Sequence, residues 1–372
     1  MSMPSSLPKP RAKVWWQPAV FDYSQLEAFV MRAAFAFLLF YSIKWETAPY
    51  KTQRNPTGLA HFFDFTWLAE HPPGPLWQGV CILSLVLYVL GLLPALTLAP
   101  TLASAIMIGT LVTSKAMHHS WQAVTLIALA QFLVYAWPRG RQLHRWVLGL
   151  ILAAIAGIAF REISLLPGFA MAMKPFFSWL GHALNTLIHF TIIGFIVGFL
   201  ASEINRAKSG LPAEAAPLRP GLPLHRIAIY ASTVTFAASY VVCGIVKLVN
   251  SDFQWIQKVP YLSVQLLKSN WDGYYDSLVP VPEWLDKVTQ GIVDHPHLAR
   301  LIFGSGLFVE LFAFVVLINR RWAFVGGLVI IAMHLSISKI MDLHFEYHMA
   351  AALILLMNVP GLMKTFGRAS AC

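Results

Sequence analysis

Tyr240-Val-Val-Cys-Gly-Ile-Val-Lys247-Leu248 is the stretch on which the reading of this chain turns. It closes an apolar run, about 226–248, long enough as a helix to cross a bilayer core of roughly 30 Å. One lysine interrupts the run close to its end. Placing an ammonium in hydrocarbon costs roughly 2.5–3.5 kcal/mol on insertion scales, so an ionisable side chain within a span marks a functional site by default. An apolar surround favours the neutral form of an amine, and a neutral amine there can act as a base toward a weakly acidic, lipid-soluble substrate. The structural alternative is that Lys247 snorkels its charge to the interface.

The rest of the sequence has the same character. It is 57% hydrophobic and 12% charged, with a mean hydropathy of +0.62. A soluble domain has no use for so much apolar surface, and the alternating segments of a membrane β-barrel are missing. The expected fold is all-α: a polytopic transmembrane helical bundle. Apolar runs predict about ten spans, near 27–44, 76–98, 101–116, 121–137, 144–161, 179–202, 226–248, 298–318, 322–340 and 345–359. The second and third are divided at Ala99-Pro100. The chain parses into a basic segment 1–24, a transmembrane domain 25–365 and a tail 366–372, with no cleavable signal peptide expected.

The net charge is +10. It comes from loops flanking the spans, which argues for membrane topology and against nucleic acid. Lys9, Arg11 and Lys13, then Arg139, Arg141 and Arg145, then Arg206, Lys208, Arg219 and Arg226, then Arg320 and Arg321, and last Lys364 and Arg368 all fall on one side of ten spans. The positive-inside rule makes that side cytoplasmic and puts both termini there. The two longest connections, 45–75 and 249–297, fall outside and are rich in aromatic residues, which suggests an ordered cap. Cys81, Cys243 and Cys372 form no disulfide or zinc pattern. Nucleotide-binding glycine loops and nucleophile elbows are absent as well.

This topology, drawn from Arg and Lys alone, also sorts the histidines. His118, His119, Lys247, His334, His344 and His348 gather toward the outer face, which predicts one site at that depth. Arg32 and Glu310 fall in the inner half and are expected to form a structural ion pair. His344 and His348 share a helix face at i, i+4, and imidazoles suit zinc or iron. The pattern lacks a glutamate directly after the first histidine, and no metal is assigned.

Read in order, these motifs resemble the membrane segment of the vitamin K-dependent γ-glutamyl carboxylases. Gly244-Ile-Val-Lys247-Leu248 followed by Trp255 resembles the family's lysine segment. Ser114-Lys-Ala-Met-His118-His119-Ser-Trp resembles its asparagine-histidine-serine segment, with His118 in place of the asparagine. Gly306-Leu-Phe-Val-Glu310-Leu resembles a Gly-x-x-x-acid-Leu run, and His334 with Phe345-Glu-Tyr347 resembles a late His…Phe-x-Tyr pattern. Phe29 to Arg32 fits a Phe-x-x-Arg motif. The likeness spans roughly residues 20–365.

The resemblance implies a reduced vitamin K or related naphthoquinol as cofactor and O2 as oxidant, with CO2 as a further reactant if carboxylation is kept. It makes Lys247 the base, with His119 and His334 as its catalytic partners. His118, Tyr240, Trp255 and Tyr347 become cofactor-binding residues. The carboxylases carry a large β-rich luminal region beyond the membrane domain. No counterpart of it is expected here, so quinol oxygenation is expected and the protein acceptor is left open. Two other readings stay open: a non-enzymatic quinone- or lipid-binding membrane protein, and a histidine–metal oxidoreductase. The expected partners are membrane lipid and a lipid-soluble quinol, in a bacterial inner membrane or its equivalent.

Overall fold

The computed structural model describes residues 23–115, 122–136 and 224–361, apart from positions 55, 57, 62, 279, 281, 342 and 360. Among the described residues every regular element is helical. The main helices are α1 (Gln25–Ser42), α2 (Pro75–Val89), α3 (Pro94–Thr113), α4 (Gln122–Ala136) and α5 (Leu224–Asn250). They are followed by α6 (Leu262–Ser277), α7 (Glu283–Asp294), α8 (Pro296–Leu311), α9 (Arg320–Met341) and α10 (Glu346–Ala352). Helix α8 runs on into a 3-10 segment, Ala313–Leu317, and α10 into a π turn, Leu353–Met357. By length and composition α1, α3, α5 and α9 can each cross a membrane. Helices α2 and α4, and the stretch 346–357, are apolar but shorter. The expected spans 144–161 and 179–202 lie outside the described residues.

Helix α1 starts where its sequence says it should. The Ser24 hydroxyl accepts from the Glu27 N–H (3.3 Å), and the Glu27 carboxylate accepts from the Ser24 N–H (2.6 Å), a reciprocal capping box. The same carboxylate takes Arg320 Nη2 at 2.9 Å, and that guanidinium lies over the Tyr23 ring. Gly361 sits against both groups: a Cβ there would fall 2.5 Å from Glu27 Oε1 and 2.9 Å from Arg320 Nη2. The two ends of the described chain therefore meet at one end of the bundle.

The expected break at Ala99-Pro100 is wrong. The chain turns earlier, at Leu90–Leu93, where Gly91 (φ 80°) and Leu93 (φ 43°) are left-handed. Pro100 lies inside α3. A proline removes one helical N–H, but membrane helices tolerate it when other groups satisfy the freed backbone. The carbonyl that loses its donor is Leu96 O; one turn beyond Pro100, the Ser104 hydroxyl donates to Pro100 O at 3.0 Å and receives Trp77 Nε1–H from α2 at 2.9 Å, which ties α3 to α2.

Buried polar groups join the helices across an otherwise apolar core. Tyr88 on α2 donates to Gln131 Oε1 on α4, whose amide donates to Ser232 Oγ on α5 at 2.9 Å. All three residues are buried, so each bond forms where water cannot replace it. The connection from α5 to α8 is itself folded. Val259, Leu266, Ile292 and Ala299 form a small core beneath α6 and α7, while Tyr261, Trp271, Tyr275 and Trp284 are exposed on this part of the chain.

Candidate functional site

Tyr240, Gly244 and Lys247 are spaced i, i+4, i+7 and so share one face of α5. Gly244 lets α8 come close. A Cβ at 244 would meet Leu311 Cδ2 at 2.9 Å, its Cγ at 3.0 Å and its backbone N at 3.2 Å. Glu310, next to Leu311, is thereby brought to Lys247. Lys247 Nζ donates to Glu310 Oε1 at 2.5 Å. Glu310 is 6% exposed, whereas the Lys247 side chain is 35% exposed, so the pair is open on the lysine's side. The second carboxylate oxygen, Glu310 Oε2, is buried without a hydrogen-bond partner.

Beyond Asn250 the chain doubles back sharply. Asp252 (φ 54°) and Phe253 (φ 61°) are both left-handed, and Phe253 N–H bonds to Leu248 O at 2.8 Å. Left-handed backbone costs a non-glycine residue roughly 1–2 kcal/mol, and such strain clusters at functional sites. The turn carries Trp255 back to the lysine, with Nζ 5.3 Å from its ring centroid, a cation–π distance. Lys258 secures the turn by donating to Ser251 O at 3.1 Å.

A second group adjoins the first. The Tyr240 hydroxyl and His334 Nε2 are 2.6 Å apart. His334 stacks on Phe345 (centroids 4.6 Å apart, planes at 28°) and lies 5.4 Å from the His348 ring. His348 packs edge-on against Tyr240. Nδ1 of His334 and Nδ1 of His348 are both buried without partners. Lys247 lies within electrostatic reach of His334, and Glu310 within reach of Tyr240 and Cys243. Glu310 Oε2, His334 Nδ1 and His348 Nδ1 are thus three buried polar atoms beside stacked rings that make no hydrogen bond.

Of the expected site residues, the structure gathers Lys247, Trp255, Tyr240 and His334. His118 and His119 lie outside the described residues. Tyr347 faces away from this group, toward Tyr41 of α1, with ring centroids 6.2 Å apart. The expected Arg32–Glu310 ion pair does not form, because Glu310 pairs with Lys247. Arg32 is instead beside Gly91, Tyr88, Tyr135 and His225, near the start of α5. His225 and Lys247 are separated by about 30 Å along that helix at 1.5 Å per residue. Glu310 lies in the last turn of α8, as expected, but that turn is at the level of Lys247 and not of Arg32. Helix α8 begins beyond the end of α5, where Gly304 meets Ile256, so its last turn lies level with the lysine.

Sequence reasoning did not anticipate the partnership of Glu310 with Lys247, nor the stacking of Phe345 on His334; His348 it did expect in the same group as Lys247 and His334. The i, i+4, i+7 spacing of Tyr240, Gly244 and Lys247 was the available signal. His344 is exposed and bonds to Glu346 at 3.0 Å, away from His334. Among the described residues no three of His, Cys, Asp and Glu converge as metal ligands. Comparisons with family models, curated proteins and solved structures find no match to this chain.

Proposed function

We propose that the protein is a multi-pass membrane enzyme that oxygenates a reduced naphthoquinol, akin to the membrane half of the vitamin K-dependent carboxylases. In this reading the bundle has ten spans, with its basic loops in the cytoplasm and the site at the opposite face. The observation that carries it is the meeting of Lys247, Glu310 and Trp255 with the Tyr240–His334 pair. The overall reaction balances as quinol plus O2 giving the 2,3-epoxide plus water. Lys247 accepts a quinol hydroxyl proton. His334 and His348 supply ring nitrogens to the second oxygen, and Phe345 and Trp255 flank the ring. Excluding water lets a strong base arise on the substrate without being quenched. CO2 capture by a glutamyl acceptor is a further step that the same base could drive.

The ion pair also favours a second reading, a quinone- or lipid-binding protein without turnover. A lysine held charged by Glu310 is a hydrogen-bond donor and not a base. One experiment separates the two. Purified protein in detergent is loaded anaerobically with reduced naphthoquinol, exposed to O2 and analysed chromatographically for epoxide. Epoxide that disappears in Lys247→Ala supports the oxygenase. Bound quinone with no epoxide above the detergent control supports the carrier.

A further inference from the structure

The ion pair poses a chemical problem for any role of Lys247 as a base, and its geometry offers the solution. Glu310 is buried on α8, holds the ammonium through Oε1, and leaves Oε2 without a donor. A buried carboxylate ordinarily has its lone pairs satisfied, and an unpaired one is costly. Transfer of one proton from Nζ to Oε1 turns the ammonium–carboxylate pair into two neutral groups that keep a hydrogen bond between the same two atoms. Desolvation drives this direction, because an apolar site penalises each charge more heavily than water does. An aromatic ligand lying over Trp255 and Lys247 would displace solvent from the lysine's open side and complete the burial. Tyr240 and Cys243 of α5, His334 of α9 and His348 of α10 are the other titratable groups around the pair. None of them is within hydrogen-bond distance of the carboxylate.

We infer that Glu310 is the proton acceptor behind Lys247, a reading that rests on the proposed quinol chemistry. Ligand closure moves the ammonium proton to Glu310 and leaves a neutral amine. That amine then takes the hydroxyl proton of the quinol and is again an ammonium, now beside a quinolate. The net change is one proton moved from the quinol to Glu310, with no oxidant or reductant used. Glu310 acts through the lysine and does not need to touch the ligand.

The test uses the full chain in detergent with menadiol under anaerobic conditions. Infrared difference spectra are recorded on binding, together with epoxidation kinetics once O2 is admitted. The expected result is a protonated-carboxyl C=O band on menadiol binding, absent in Glu310→Gln. That variant should lose about 100-fold in kcat with KM changed less than threefold, and Glu310→Asp should recover part of the rate. A wild-type spectrum without the band, or Glu310→Gln turning over at the wild-type rate, overturns the proposal. If the wild type shows the band but makes no epoxide, the proton transfer stands and the oxygenase reading falls. If Glu310→Gln does not fold, the Asp variant and the wild-type spectrum still decide the matter.

Discussion

Gly244→Ala should act at a distance on the site by wedging α5 and α8 apart. The added methyl would lie 2.9 and 3.0 Å from Leu311 side-chain carbons and 3.2 Å from the Leu311 backbone nitrogen. Carbon atoms settle at about 3.5–4.0 Å, so the helices must separate by roughly 0.5–1 Å. The leucine side chain can turn aside, but the backbone nitrogen cannot, and so rotamer change alone does not relieve the clash. Overpacking of this kind costs about 1–3 kcal/mol. With an unfolding entropy scaled to chain length, that lowers the apparent melting temperature by about 1–4 °C. Because Glu310 is carried on the displaced turn, misplacement on the order of 1 Å should also slow epoxidation by up to about 100-fold. The assay is thermal unfolding in one detergent, followed by tryptophan fluorescence, for wild type, Gly244→Ala, Leu311→Ala and the double variant. The two sites touch, so the cycle should show favourable coupling of about 0.5–1.5 kcal/mol, the smaller leucine replacement relieving part of the clash. A Gly244→Ala protein that melts with the wild type, or a strictly additive cycle, would refute the close approach of the two helices.

Four further outcomes follow from other contacts. Lys247→Ala leaves the buried Glu310 without its cation and should destabilise by about 1–2 kcal/mol, at the low end for buried pairs because the lysine is partly solvated. Lys247→Ala/Glu310→Leu should recover most of that loss in the same melting assay, and no recovery would argue against the pair. Tyr240→Phe removes the hydroxyl bonded to His334 Nε2 and leaves a buried ring nitrogen unsatisfied, a loss of about 1–3 kcal/mol; an unchanged melt would count against this contact. Phe253→Gly should leave stability unchanged or raise it by up to about 1 kcal/mol, read as a melting temperature that does not fall, since Phe253 is left-handed and 66% exposed. A clear loss there would show that the ring contributes more than its backbone strain costs. Arg320→Ala strips the cation from Glu27, which is buried, and should lower stability by about 1–3 kcal/mol, with increased proteolysis near Tyr23 and Gly361 as the local readout.

The sequence alone placed three of the four helices long enough to cross a membrane. The expected runs 27–44, 226–248 and 322–340 became Gln25–Ser42, Leu224–Asn250 and Arg320–Met341, each within a few residues. Length and uninterrupted hydropathy are local properties, and a helix that satisfies its own backbone needs no partner to be legible. The face bearing Tyr240, Gly244 and Lys247 was equally readable, because helical spacing fixes it. The turn at Leu90–Leu93 was not, since Pro100 is the stronger local breaker by sequence and only the structure shows it inside α3. Nor was the partner of Glu310. Arg32 and Lys247 were both available cations by sequence, and span counting put the wrong one at its depth. The choice was made by how far α8 extends beyond α5 and by the absence of a side chain at Gly244. Charge pairing between helices depends on axial offset and distance of approach, quantities that exist only once the helices have packed.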